Sequence, residues 1–287
     1  MARTNERMAG GMGKIKSKTL TKGALIFAFN NEHIDYIAMA GWNAENIRKH
    51  LNLPVAVVTD DPDQAAKYNF DHIIASTPDN GGPRYFSDYQ QTVTWYNAGR
   101  ATAYELSPFD QTLLLDADYV VASDLLLRAM EMPQEFAAFN TSLDPANESE
   151  IDPLLTKFGN PRMPMWWATV MMFRRGNISQ YIFDCMQMIR ANWQHYRHLF
   201  NITETTYRND YALSIALGIL TGHEQSVHAF SWPMINIMPD QSLKKLKADL
   251  YQIDFVNSES RPRSIMFGGM DFHAMGKKHL GDIIAAN

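Results

Sequence analysis

TLLLDAD, residues Thr112–Asp118, is an apolar run that ends in two carboxylates with only Ala117 between them. Such a run suits a strand covered on both faces, and open α/β sheets bind ligands beyond the carboxyl ends of their strands. Asp116 and Asp118 are therefore placed where ligands are met. Two carboxylates this close repel each other unless a cation lies beside them, and hard oxygen donors suit Mg²⁺ or Mn²⁺, often shared with a diphosphate. The plainer alternative is a pair of loop acids before the next helix; the flanking LLL and YVVASDLL favour the cation.

Upstream, ALIFAF (Ala24–Phe29) is a second continuous apolar run, closed by Asn30 and Asn31. From His33 to Leu51 the residues Ile34, Ile37, Ala40, Ala44, Ile47 and Leu51 recur every three or four positions, which predicts an amphipathic helix packed on a sheet. Pro54 introduces VAVVT (Val55–Thr59), which stops at Asp60 and Asp61; HIIA (His72–Ala75) follows a short helical stretch. This alternation predicts parallel β-α-β units, an α/β fold with a mostly parallel central sheet flanked by helices. Residues 1–22 read as a flexible tail and 23–287 as one domain.

Further along, Ser76–Gln91 carries Gly81, Gly82 and two prolines without periodicity, which predicts a long surface loop. Val93–Leu106 reads as a helix broken by Pro108, and Asn140–Met165 as a second irregular stretch before a strand at Ala168–Phe173. Asn177 then caps a predicted helix running to Phe200.

Composition narrows the class. With 26 Lys+Arg against 31 Asp+Glu, a net charge of −5 and 46% hydrophobic residues, the chain is neither disordered nor a basic coat for nucleic acid. A single cysteine, Cys185, excludes an intramolecular disulfide or a Cys-rich zinc site and fits a reducing compartment. The opening residues match no signal peptide, and no window approaches the ~20 apolar residues that span a bilayer, so a cytoplasmic protein without a membrane partner is expected. The absence of GxGxxG, GxxxxGK[ST], HExxH and GxSxG argues against dinucleotide dehydrogenases, P-loop ATPases, zincins and α/β-hydrolases.

The block FDQTLLLDADYVVASDLL (Phe109–Leu126) resembles the DxD region of GT-A glycosyltransferases, in which an acidic pair holds a divalent metal bound to a nucleotide-sugar diphosphate. Further matches resemble the glycogenin-like branch. The opening strand, with Ala28, Asn30, Asn31 and Tyr36, resembles the segment that receives the nucleoside; Arg100 resembles a basic residue that approaches the diphosphate or donor sugar. Asn209 and Asp210, in YRNDYALSIAL, resemble the Asp-Gln-Asp-x-Leu motif that contacts the donor sugar, with Arg208 in place of its first acid. DFHAMGKKHL resembles HxxGxxK: His273 would be the third metal ligand beside Asp116 and Asp118, Gly276 would let backbone approach the phosphates, and Lys277 or Lys278 would supply the charge that His279 does not. Ala117 and Asp60 complete the implied donor-binding set, Asp60 toward base or ribose, although a turn before Pro62 accounts for Asp60 and Asp61 nearly as well.

The resemblance implies a transferase moving a hexose or pentose from a nucleotide sugar, a UDP-sugar first, with Mn²⁺ or Mg²⁺ and retention of configuration. The departing phosphate would accept the hydroxyl proton and Asp210 would stabilise charge on the sugar. Inversion would instead need a carboxylate base, Asp210 or an acid of Asn140–Asp152. The chain also resembles phage-encoded transferases, which implies a hydroxymethylated pyrimidine in DNA as acceptor, met by Arg84, Tyr85 and Tyr89 with Arg162, Arg174 and Arg175 as a basic patch. A glycan, lipopolysaccharide or protein hydroxyl is the alternative. A nucleotide-sugar-binding module, and a metal-dependent nucleotidyltransferase or hydrolase, use the same acidic pair.

Asp210 heads an apolar helix and could be a cap. Trp166 and Trp167 read as core somewhat more than as a stacking wall. The methionine- and aromatic-rich run Met186–Phe200 is core, and His195 and His198 lack companions for a metal site.

Overall fold

The computed structural model describes residues 20–146, 157–159, 162–222 and 228–286. A six-stranded sheet runs, edge to edge, His72–Ala75, Val55–Thr59, Lys22–Phe27, Gln111–Asp116, Trp167–Arg174, Phe136–Phe139. The first four strands are mutually parallel, and Trp167–Arg174 runs antiparallel to both of its neighbours. All five residues of Val55–Thr59 are buried, as are five of six in Lys22–Phe27 and in Gln111–Asp116, the pattern of strands covered on both faces. The predicted α/β fold with a mostly parallel sheet is what forms.

Two registers place the site. Phe27 pairs with Asp116, so the acidic end of one strand is level with the end of the strand beside it. A smaller sheet, ordered Tyr119–Val120, Phe272–Ala274, Met234–Ile237, Ser142–Leu143, then pairs His273 with Tyr119 on one side and Asn236 on the other. The chain turns at Ala117 and Asp118 and immediately enters this second ladder, where the Ala274 N–H donates to the Asp118 carbonyl at 3.0 Å.

Several sequence expectations need correction. The helix Tyr36–Leu51 starts three residues later than His33 because Asp35 caps it, accepting from the Ala38 N–H at 2.9 Å. Val93–Leu106 is not one helix: a strand ends at Thr94, a 3₁₀ turn spans Ala98–Thr102, and a short helix Ala103–Leu106 follows. The loop Ser76–Gln91 holds half of a hairpin, Pro83–Phe86 against Gln91–Thr94. Asn177 caps nothing. The helix Asn177–Ala191 receives Glu135 at its amino end, where one carboxylate oxygen accepts from the Ile178 N–H at 2.9 Å, and the helix stops at Asn192 before Trp193–Leu199. The irregular stretch Asn140–Met165 includes short strands at Ser142–Leu143, Lys157–Phe158 and Met163–Pro164. Within it, 147–156 and 160–161 lie outside the described residues, as do most of the 1–22 tail.

A three-stranded antiparallel meander, Ser242–Lys247, Leu250–Val256 and Pro262–Gly268, and a final helix Lys277–Ala285 complete the chain. No helix among the described residues is long and apolar enough to cross a membrane.

Candidate functional site

A cleft opens at the carboxyl end of the central strands, lined by Tyr36, Arg100, Asp116, Ala117, Asp118, Asn209, Asp210, His273 and Lys277 from five separate segments of the chain. Asp116, Asp118 and His273 each offer one atom to a common point, and these atoms lie within 4.8 Å of one another. His273 is oriented for such a role. Its Nδ1 lies 2.7 Å from Oδ1 of buried Asn236, which turns Nε2 toward the acid pair, 3.5 Å from Asp118 Oδ1. Asn236 in turn donates its amide to the Ser142 hydroxyl, so a chain of three side chains fixes the ring. Two carboxylates and one imidazole nitrogen could hold a divalent metal ion. Asn236→Ala is accordingly expected to weaken Mn²⁺ binding about 10–100-fold, the usual cost of losing the partner that orients a ligating histidine; titration of Mn²⁺ into both proteins checks it, and equal affinities would remove the orienting role of Asn236.

The two acids are tuned apart. Burial pushes the Asp116 carboxyl upward despite the guanidinium of Arg100 beside it. Burial acts on Asp118 in the same direction, but the Lys277 ammonium and then His273 outweigh it and hold that carboxyl well below the usual range. Lys277 contacts Asp118 directly and donates to the Ala274 carbonyl at 3.1 Å. Lys277, not Lys278, is therefore the lysine that enters the cleft. The backbone N–H of Lys278 donates to Asp88 on the hairpin at 3.0 Å. Burial, with Asp118 adding to it, raises the Tyr36 hydroxyl far above its ordinary value, so the ring faces the cleft as a neutral donor.

An irregularity in Trp167–Arg174 explains two more positions. The register of this strand against Phe136–Phe139 shifts between Trp167 and Met171, which takes backbone groups out of the ladder. The freed Ala168 N–H donates to Asp210 Oδ1 at 2.9 Å, and the Thr169 carbonyl accepts from Arg100 at 3.4 Å. Asp210 is thus tied to the sheet, while its other oxygen accepts from Arg208 at 2.9 Å. The helix Asn209–Thr221 carries no side-chain cap at Arg208, and the Asp210 carboxylate does not serve as one. Asn209 donates to the Asn97 carbonyl at 2.9 Å, and Asn97 donates to Asp116 at 3.4 Å.

Other predicted residues stand apart from the cleft lining. Asn30 donates to Gln64 at 2.9 Å and accepts from the Ile37 N–H at 3.0 Å. Asp60 is exposed, and Asp61 caps the short helix Pro62–Ala65. Ala28 is fully buried, its N–H given to Val58. Gly276 precedes the last helix with φ −80°, and a Cβ there would meet no protein atom closer than 3.6 Å. Trp166 is core; Trp167 reaches the cleft. Arg174 and Arg175 donate to the carbonyls of Met130, Met132, Tyr104 and Ser107, which removes them from a free basic patch.

Sequence reasoning missed Asn97, Asn236 and Asp88. Asn236 had a signal, a lone amide inside the apolar run MINIM, where a buried strand carries a polar side chain only if something binds it. Asn97 had none. The cleft also keeps polar atoms in waiting: Oδ1 of Asn97, Oδ1 of Asn209, Nε of Arg100 and Nε1 of Trp167 are buried without a hydrogen-bond partner.

No protein-family model and no curated protein matches the chain. Among solved structures it is similar to the glycosyltransferase GlyE of Streptococcus pneumoniae TIGR4, at 14% identity and a TM-score of 0.39 over 74% of this chain, and it spans only 45% of GlyE. It is similar to the galactosyltransferase LgtC, in complex with donor and acceptor sugar analogs, at 14% identity and a TM-score of 0.42 over 68% of this chain and 70% of that one. It is similar to mouse xyloside xylosyltransferase 1 at 10% identity and a TM-score of 0.40, over 71% of this chain and 83% of the other.

Proposed function

We propose that this protein is a metal-dependent glycosyltransferase of the GT-A type, resembling the glycogenin-like branch, that moves a sugar from a nucleotide donor, a UDP-sugar first, to a hydroxyl. One observation carries the reading: Asp116 and Asp118 stand at the end of a central strand with His273 and Lys277 brought against them from a distant part of the chain. That combination of hard ligands and a lysine ammonium suits a diphosphate. A bound Mn²⁺ or Mg²⁺ would supply charge neutralisation to the departing diphosphate.

The chain's own residues fit the remaining tasks. Lys277 gives charge-assisted hydrogen bonds to phosphate oxygens. Tyr36 donates from the side of the cleft where the nucleoside enters. The waiting carbonyl oxygens of Asn97 and Asn209 accept from sugar hydroxyls, and the Trp167 indole donates to a ring or hydroxyl oxygen. Asp210, pinned to Ala168 and Arg208, keeps a fixed negative edge toward the reacting carbon. The bond from that carbon to the diphosphate breaks, the bond to the acceptor oxygen forms, and the acceptor proton passes to a phosphate oxygen, with retention. A carboxylate base for inversion finds less support. Both oxygens of Asp210 are engaged, and Asp144 is occupied by the Ala146 N–H and Gln241. The other acids of Asn140–Asp152 lie outside the described residues.

For the acceptor, Arg84 and Tyr85 on the hairpin stand at the rim of the cleft, Arg84 lying 5.6 Å from the Trp95 ring. A cation and a flat ring at the entrance suit a hydroxymethylated pyrimidine in single-stranded or flipped-out DNA, and a glycan is the other acceptor to test.

The decisive experiment is a panel of UDP-, GDP-, CMP- and ADP-sugars with Mn²⁺, with and without EDTA, read by thermal protection and by product formed on each acceptor. One UDP-sugar is expected to stabilise the protein by about 2–3 kcal/mol at a hundredfold excess over its dissociation constant, and only with metal. No response to any donor would end this reading. A nucleotidyl product in place of a glycoside would hand the site to nucleotidyl transfer.

A further inference from the structure

Of the carboxylates that line the cleft, three deep in it are matched by a basic side chain, Arg100 on Asp116, Lys277 on Asp118, and Arg208 on Asp210 at 2.9 Å, while Asp88 accepts from the Lys278 backbone N–H. The Lys277 pair differs in position. Its ammonium lies against Oδ2 of Asp118, while Oδ1 of the same carboxylate faces His273 Nε2 at 3.5 Å. The lysine therefore sits on one of the three groups that would hold a divalent ion. It is not loosely placed. Lys277 is 8% exposed, opens the last helix, and spends a second donor on the Ala274 carbonyl at 3.1 Å.

A divalent cation and an ammonium at contact distance from one carboxylate repel each other strongly, most of all where water is scarce. One of them must withdraw. Arg100 is unable to, since it is packed at 1% exposure with its second nitrogen on the Thr169 carbonyl. Lys277 has a flexible four-carbon stem and a compact charge that can be re-aimed. Once lifted from Asp118 it needs another anion, and a diphosphate beside the metal provides one.

We propose that Lys277 is a built-in counter-ion that holds Asp118 against free divalent metal and passes to the nucleotide's diphosphate when the two arrive together. Metal and nucleotide then bind interdependently, and each raises the other's affinity by the same factor. This rests on the reading of the cleft as a nucleotide-sugar site, but the competition at Asp118 is measurable without any transfer reaction.

The test is calorimetric titration of Mn²⁺ into the wild type, K277M, K277Q and K277R, each with and without UDP, alongside their melting curves. Without UDP the neutral variants are expected to bind Mn²⁺ about tenfold more tightly than the wild type and to lose most of the gain that UDP confers, while K277R, which keeps the charge, binds free Mn²⁺ no more tightly than the wild type. K277Q serves if the longer apolar side chain of K277M disturbs folding. Mn²⁺ affinity unchanged or weaker in the neutral variants, with UDP still bound, overturns the counter-ion role and leaves the nucleotide site standing. Absence of both Mn²⁺ and UDP binding to all four proteins overturns the two together.

Discussion

Replacing Asp118 with asparagine is expected to lower transfer by about 10²–10³-fold, the scale of losing one preorganised electrostatic group at a centre that stabilises a departing anion. The same change should cost stability. It strands the Lys277 ammonium in a setting where the two side chains are only 10% and 7% exposed, and breaking a buried pair from one side costs about 3–5 kcal/mol. The double variant D118N/K277M separates the two effects. Removing the stranded ammonium should return much of the melting temperature while activity stays lost. A D118N protein with full activity would sink the assignment of Asp118, and a double variant that regains turnover would turn the effect into one of folding alone.

Arg100→Met carries the second large effect. Arg100 is buried at 1% exposure between the Asp116 carboxylate and the Thr169 carbonyl, so its loss leaves a buried carboxylate unpaired. Methionine fills much of the stem volume and none of the charge. About 3–5 kcal/mol is expected, a fall in melting temperature on the order of 10 °C. The loss should depend on pH in a definite direction. Burial already raises Asp116, and without Arg100 its folded-state value rises further above the unfolded one. Such a group supports the folded state while protonated, and that support is lost as pH climbs through its folded value. R100M is therefore expected to be closest to the wild type near pH 4 and to fall progressively behind above it. Melting curves across that range check it; a constant difference would show that Arg100 acts through packing alone.

The central strands were legible in the sequence because each carries a continuous apolar run that ends in a polar pair, as ALIFAF and VAVVT do. The acid pair and His273 carried the candidate site in the sequence, and the fold brings them together with Lys277 and Asp210 in the lining of one cleft. What failed were readings in which short-range pattern competes with a distant partner. Val93–Leu106 has helical spacing, yet its first residues pair with Pro83–Phe86 as a hairpin, a choice made by residues outside the window. Asn177 has the composition of a cap, yet Glu135 from a neighbouring strand end serves the amino end of that helix. Asn30, expected as a nucleoside contact, donates to Gln64 and accepts from the Ile37 N–H, partners that only the packed fold reveals.

The pairing of His273 with Tyr119 also sets an order in time. A ribosome releases the acid pair long before Phe272–Ala274, so Tyr119–Val120 lacks its ladder neighbour through the synthesis of the entire second half of the chain. Until then the two carboxylates have neither their imidazole companion nor the lysine that neutralises Asp118, and any cation they hold is held loosely. The cleft is thus completed last, by one short strand and the helix after it, and a nascent chain stalled before that strand would carry Arg100, the acid pair and Asp210 but neither His273 nor Lys277.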